Sequence, residues 1–322
     1  MRPRLLGLAL ILVSGCQRQT PSTTQNTASP TTRPSSPVEQ GRALIEQGQL
    51  DQALAKLQEA PGDADSLYYQ GVIWAKKAET APLPTPPPLA TPLPRGAEPP
   101  PAPEFKPEEL SALDLFQKAA AARPDHALAQ LGIAELLAPH AVRRYEQEEA
   151  RKKTARPGRK VLPAPLPEGP DAGPDRVLQA YKAAVKADAH NKQAVEGLIR
   201  FAVRVGRLGD AEIGLQELAQ LDPERPEPFI RYGDFLVNDK KDPLAAVEQY
   251  KQALVWRAED DATRAKIADI YIAMGIEHWK NEQYGLAESR LREAQKFVTE
   301  KNSPQDLKLR DYLNKLKDIR AR

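Results

Sequence analysis

A single cysteine, Cys16, serves a chain of 322 residues, so no disulfide can form within it. Aromatic residues are scarce, at 6% of the chain, while alanine is abundant. That balance favours tightly packed helices over a sheet sandwich. The four histidines are His126, His140, His190 and His278; no two of them stand at the helical spacing of a metal site, and no HExxH occurs. There is no Gly-rich phosphate loop and no GxSxG elbow. The expectation is a protein that is not an enzyme, with no metal site and no cofactor. A formal net charge of only +2 argues against a broad nucleic-acid footprint, so no nucleic-acid partner is expected. Long hydrophobic runs are also missing: Leu5 to Val13 is far shorter than the roughly 20 residues that span a bilayer.

What is present begins at the amino end. Met1, Arg2, Pro3 and Arg4 form a short basic start, the apolar run follows, and Ser14-Gly15 closes it. This order describes a secretory signal. Val13-Ser14-Gly15-Cys16 resembles the lipobox of bacterial lipoproteins. The resemblance implies a signal peptide over 1–15, cleavage before Cys16 and acylation of that residue. More than one acyl chain satisfies the need for a second lipid signal in stable anchoring. Gln17, rather than Asp, follows the cysteine, which by the same resemblance favours the outer membrane, with the body on the periplasmic side. Without Arg2 and Arg4 the chain carries 44 basic against 44 acidic residues.

Residues 16–37 are rich in Ser, Thr, Pro, Gln and Asn and read as a lipidated, disordered tether. Two further breaks interrupt the rest. Residues 81–107 contain twelve prolines and residues 156–174 contain six. Proline fixes φ and removes a donor, so helix and inner strand are both excluded and extended polyproline II is expected. Elsewhere the apolar period is helical. Pro107-Glu-Glu, Asp175-Arg-Val and Pro304-Gln-Asp look like helix starts.

One local pattern recurs six times: a small residue, then four positions on a large apolar one, then three further on another small or apolar one. It reads Ala53-Leu57-Ala60, Ala112-Phe116-Ala119, Val177-Tyr181-Ala184, Ala211-Leu215-Leu218, Ala246-Tyr250-Ala253 and Ala287-Leu291-Ala294. Steps of four and three lie on one helix face. Small residues there let a partner helix approach, and the large one fills the space between. An earlier helix precedes each copy, with markers such as Gly71 and Trp74, Leu198 and Ile199, Tyr232 and Gly233. Two successive copies are 34 and 35 residues apart; the steps of 59 and 65 each contain a Pro-rich break.

This arrangement resembles the tetratricopeptide repeat (TPR) family. The resemblance implies an all-α, right-handed superhelical solenoid of about six hairpins over 38–322. The Pro-rich breaks become insertions inside hairpins two and three, and 304–322 becomes a capping helix with Leu307, Leu309, Leu313, Leu316 and Ile319 turned to the last repeat. It further implies a concave groove lined by the first helix of each hairpin and occupied by a partner protein. Carried onto this chain, the groove positions are Tyr68, Lys76, Arg200, Arg204, Asp234, Asn238, Trp279 and Lys280. The stretch 143–160, from Arg143 to Lys160, holds eight basic residues against three acidic ones and is a candidate contact for peptidoglycan or anionic lipid. In overall plan the chain is similar to the tetratricopeptide lipoproteins that serve as pilotins of type IV pili. The function expected is a membrane-anchored scaffold for assembling or positioning a cell-envelope machine of pilus, secretion, motility or outer-membrane assembly type. The alternative is a lipoprotein activator of peptidoglycan synthesis.

Overall fold

The structure, a computed structural model, describes residues 36–82, 104–154 and 170–321. The signal segment, Cys16, all of the 16–37 tether but its last two residues, and the greater part of both Pro-rich insertions lie outside the described residues. Every regular element among the described residues is helical. Six hairpins follow in chain order: α1 (Pro37–Glu46) with α2 (Leu50–Leu57), α3 (Ala64–Thr80) with α4 (Pro107–Ala122), α5 (Ala127–Thr154) with α6 (Pro174–Ala187), α7 (Lys192–Arg204) with α8 (Leu208–Leu221), α9 (Pro226–Phe235) with α10 (Pro243–Trp256), and α11 (Asp261–Lys280) with α12 (Tyr284–Gln295). α13 (Pro304–Arg320) follows them. Substantial contacts join each helix to its own hairpin partner and reach no further than two helices along the chain. That nearest-neighbour pattern is what makes a solenoid.

The helix ends have local causes. Proline occupies the first turn of α1, α4, α6, α9, α10 and α13, where its missing N–H costs nothing. Ser36 caps α1 in a reciprocal capping box with Glu39, and Asp63, Asn191, Asp242, Asp260 and Ser303 each accept a backbone N–H at the start of the following helix. The two uninterrupted turns closed by glycine, at Gly48 and Gly206, need a left-handed φ; in hairpins five and six Lys241 and Glu282 adopt the same conformation without that freedom.

Packing follows the repeated small–large pattern. Ala53, Ala112, Val177, Ala211, Ala246 and Ala287 are all completely buried, and so, within a few per cent, are the large residues four positions on. Several first helices carry a glycine where those large side chains press in. A Cβ at Gly71 would stand 2.6 Å from the Phe116 ring, and one at Gly132 would stand 2.9 Å from the same ring. Phe116 is therefore clasped by two hairpins at once. Gly197 receives Tyr181, Gly233 receives Tyr250, and Gly275 receives Leu291 with similar closeness.

Some boundaries differ from the sequence expectation. The end of the 81–107 break is packed on the hairpins: Phe105 is buried, and the segment 104–106 is docked against α3 and α5. At the second break Ala172 is fully buried just before α6. The basic stretch that opens at Arg143 is helical as far as Thr154, because α5 runs unbroken through Pro139. In the cap, Leu309 and Leu316 are buried, but Leu307 is exposed, since the buried face of α13 runs through Ser303, Asp306 and Leu309 instead. On the outer side of α13, Arg310, Lys315 and Arg320 are paired with Asp306, Asp311 and Glu288.

Candidate interaction groove

The first helices of hairpins two to five share one face, and a row of cavities runs along it. Between α3 and α5 lies a cavity of about 540 Å³ lined by Tyr68, Val72, Phe116, Leu128, Leu131 and Glu135. The next, about 510 Å³, lies between α5 and α7 and shares Glu135 and Pro139 with the first. The third, about 370 Å³, lies between α7 and α9 and shares Arg200 with the second. These shared walls make one continuous groove rather than three pits. Apolar surface is left open in it: Leu128 is 38% exposed and Val203 is 36% exposed.

Polar pairs join each first helix from α5 to the next, and α11 to α13. Gln193 Nε2 donates to Glu135 Oε1 at 2.7 Å, Arg231 stands 3.9 Å from Glu196, Lys266 pairs with Asp234, and Gln305 Nε2 donates to Asp269 Oδ2 at 3.4 Å. Exposed pairs of this kind add about 1 kcal/mol or less each.

The residues proposed from the TPR resemblance fall into three groups. Tyr68, Lys76, Arg200, Arg204, Asp234 and Asn238 do line the cavities. Tyr68 is packed on Tyr69, Phe116 and His126, with ring centroids 5.1, 5.8 and 5.4 Å away, and burial pushes its hydroxyl up to about 12. Asn238 stands in a π-helical turn, Leu236–Lys240, which extends α9 and carries Asn238 and Asp239 to the rim. Two of the six are already engaged within the protein. Arg204 is paired with Glu146 of α5, and Asp234 accepts the Tyr250 hydroxyl at 2.7 Å as well as the Lys266 ammonium. Burial and the Asp234 carboxylate both push the Tyr250 hydroxyl upward, so it stays a donor. Arg200 is exposed at the junction of the second and third cavities, with no carboxylate in contact among the described residues. Lys76 is likewise exposed, at the rim of the first cavity.

Trp279 and Lys280 stand apart from these three cavities. Trp279 turns to the cap: its ring meets Tyr312 edge-on at 5.4 Å, and Lys315 stands 5.9 Å from its centroid. The stacking of α13 on α11 covers it, leaving its indole N–H buried without an acceptor. Lys280 is exposed at the last residue of α11 and lines none of the three cavities. Leu128 and Val203 escaped the sequence reading. Both lie on first helices two or three positions from buried core residues, a signal that an exposed apolar residue on the groove face could have supplied.

Within the basic stretch, Arg144 is bidentate on Glu104, at 2.8 and 2.9 Å from its two oxygens, Arg143 Nε donates to the Pro139 carbonyl, and Lys152 pairs with Glu148 and Glu149. Of the five basic residues in its described part, Arg144 and Lys152 are thus paired with carboxylates. No group of three or more His, Cys, Asp or Glu among the described residues is placed to hold a metal ion, and no described helix is long and apolar enough to cross a membrane.

No family model matches the chain, and no curated protein matches it. Among solved structures, it is similar to PilF of Pseudomonas aeruginosa, with 12% identity, a TM-score of 0.39, and coverage of 85% of this chain and 95% of that one. It is also similar to YrrB, described as a TPR protein with an unusual peptide-binding site (15% identity, TM-score 0.38, 70% and 88% covered). A thermophilic TPR protein of Thermus thermophilus, TTC0263, is similar at 18% identity and a TM-score of 0.35, with 73% and 96% covered.

Proposed function

We propose that the chain is a lipid-anchored scaffold that holds a partner polypeptide along the face of α3, α5, α7 and α9. The observation that carries this is the continuity of the groove: three cavities with shared walls, open apolar side chains at Leu128 and Val203, and the uncommitted guanidinium of Arg200 in the middle. A row of hairpins presents such a face to an extended segment or a helix. With Arg204 and Asp234 already engaged, Arg200 selects a carboxylate on the partner. The anchor is Cys16, on the strength of the lipobox resemblance. The setting that follows is the periplasmic side of the outer membrane, in service of an envelope machine.

Two substitutions separate the parts. Arg200→Glu leaves the fold intact, because the side chain is exposed, and lowers partner recovery in co-purification from envelopes by about tenfold or more, the scale of losing a charge-assisted contact and gaining a like charge. Cys16→Ser abolishes palmitate labelling and membrane retention while leaving partner recovery from detergent extracts unchanged. Full recovery with Arg200→Glu sinks the groove; palmitate labelling that persists in Cys16→Ser sinks the anchor.

A further inference from the structure

The segment 104–106, where the chain re-enters the fold after the first Pro-rich stretch, is held by an unusual set of groups. Phe105 is buried, with its ring stacked on His140 of α5 at a centroid distance of 4.0 Å. Glu104 receives the bidentate Arg144 guanidinium. The Lys106 ammonium donates to the carbonyls of Ala78 and Ala81 at 2.6 and 2.7 Å, capping the C-terminal end of α3. Its backbone N–H donates to Glu109 Oε2 at 2.7 Å. These three residues form a strap from the C-terminal end of α3 to the middle of α5.

His140 lies under the strap, 2% exposed. Its Nδ1 is 3.4 Å from Arg143 Nη2, which can only donate, so Nδ1 accepts and Nε2 carries the proton, 3.4 Å from Glu109 Oε1. The ring is neutral in this arrangement. A second proton would have to go on Nδ1, where it meets the Arg143 N–H. The nearest carboxylate on that side, Glu104 at 3.8 Å, is already occupied by Arg144. Among the described residues of α6 and those just before it, Asp175 is paired with Arg207 and Asp171 accepts the Gly173 N–H. The charged ring can be hydrated only when Phe105 leaves.

We infer that the strap 104–106 is a pH-operated latch on the first cavity of the groove, closed while His140 is neutral and released when it is protonated. Burial lowers the proton affinity of His140; Glu109 and Glu104 oppose that shift and Arg143 adds to it. A histidine held below its unfolded value stabilises the closed form fully above about pH 6.5, and that stability is lost as the pH falls from there towards the folded-state pKa. Release is local, because the strap is tied by a handful of contacts and the opened form leaves the hairpins stacked. Lys106 and Glu109 also wall the first cavity, beside Ala78 and Glu79. Opening therefore removes one end of the groove and uncaps α3. The consequence for partner binding rests on the proposed groove; the latch itself does not.

The test is hydrogen–deuterium exchange on the purified full-length chain, read as protection factors for the Phe105 and Lys106 amides. Between about pH 7.5 and pH 5.5 the wild-type protection falls by about tenfold, while His140→Gln, which keeps a neutral polar side chain, changes by less than about twofold. In the wild type, the His140 Hε1 resonance titrates with the same midpoint as the loss of protection, a reading that needs no variant to fold. Protection that survives the protonation of His140 overturns the latch, as does an equal fall in His140→Gln. Failure of Arg200→Glu to lose the partner would leave these readings untouched.

Discussion

Phe116→Ala splits the unfolding of this protein into two transitions. Phe116 is nearly fully buried and stands between Gly71 of its own hairpin and Gly132 of the next, whose missing side chains leave the gap that the ring fills. Truncation costs the transfer energy of the ring and leaves a cavity that the two flanking helices cannot both close, together about 3–5 kcal/mol. A domain's whole stability is of order 5–15 kcal/mol. In a solenoid that energy is a sum of local and nearest-neighbour terms, so losing one junction uncouples the array there. The first two hairpins are held at this end by a small separate cluster, Ile45, Ala53, Leu57 and Ile73. They are expected to melt first in urea, with hairpins three to six following near the wild-type midpoint. Circular dichroism at a helical wavelength, combined with fluorescence of Trp74 in α3, resolves the two steps. A single transition shifted as a whole would mean that the array is one cooperative block.

Gly233→Val has the second large effect, by the opposite route. A Cβ at this position would lie 2.5 Å from Tyr250 Cε1 and 2.9 Å from Cζ, well inside contact distance. The ring has nowhere to retreat, because Tyr250 is buried and its hydroxyl is bound to Asp234 at 2.7 Å. Overpacking costs about 1–3 kcal/mol, and displacing the hydroxyl from a charged acceptor adds about 1.5–3 kcal/mol. Replacing Tyr250 by Ala in the same chain removes the clash, so the double variant is expected to be less destabilised than the sum of the two single changes. Urea midpoints of the four chains give the coupling directly. Strict additivity would show that Gly233 and Tyr250 do not press on one another.

Much of this architecture was legible because it is local. Ala112, Phe116 and Ala119, or Ala246, Tyr250 and Ala253, recur at helical spacing, and buried small residues are what close helix pairs need. The starts of α4 and α13 stood at prolines 107 and 304, and that of α6 one residue before Asp175, where first-turn chemistry is strong. What escaped depends on partners far along the chain. The strap 104–106 sits among prolines that favour an extended chain, and only Arg144, forty residues away, and the buried His140 reveal that it is docked. Arg204 looked free until Glu146 on another hairpin met it across 58 positions. The apolar neighbours of Trp279 fit a core position as well as a groove position, and the packing of α13 makes the choice. The π-helical turn that places Asn238 was invisible for a similar reason: its extra residue shows only in the backbone hydrogen bonds.

The most direct measurement is a photo-crosslinking scan in intact envelopes. A photoreactive phenylalanine analogue is placed at Leu128, Val203 and Asn238 on the first-helix face, and at Ile213, Leu244 and Leu286 on second helices, all of which are exposed. If the face of α3, α5, α7 and α9 holds a polypeptide, the first three positions give one shared crosslinked partner and the other three give none. Crosslinks to that same partner from Ile213, Leu244 or Leu286, with silence from Leu128 and Val203, would contradict the groove and place binding on the opposite side of the hairpins.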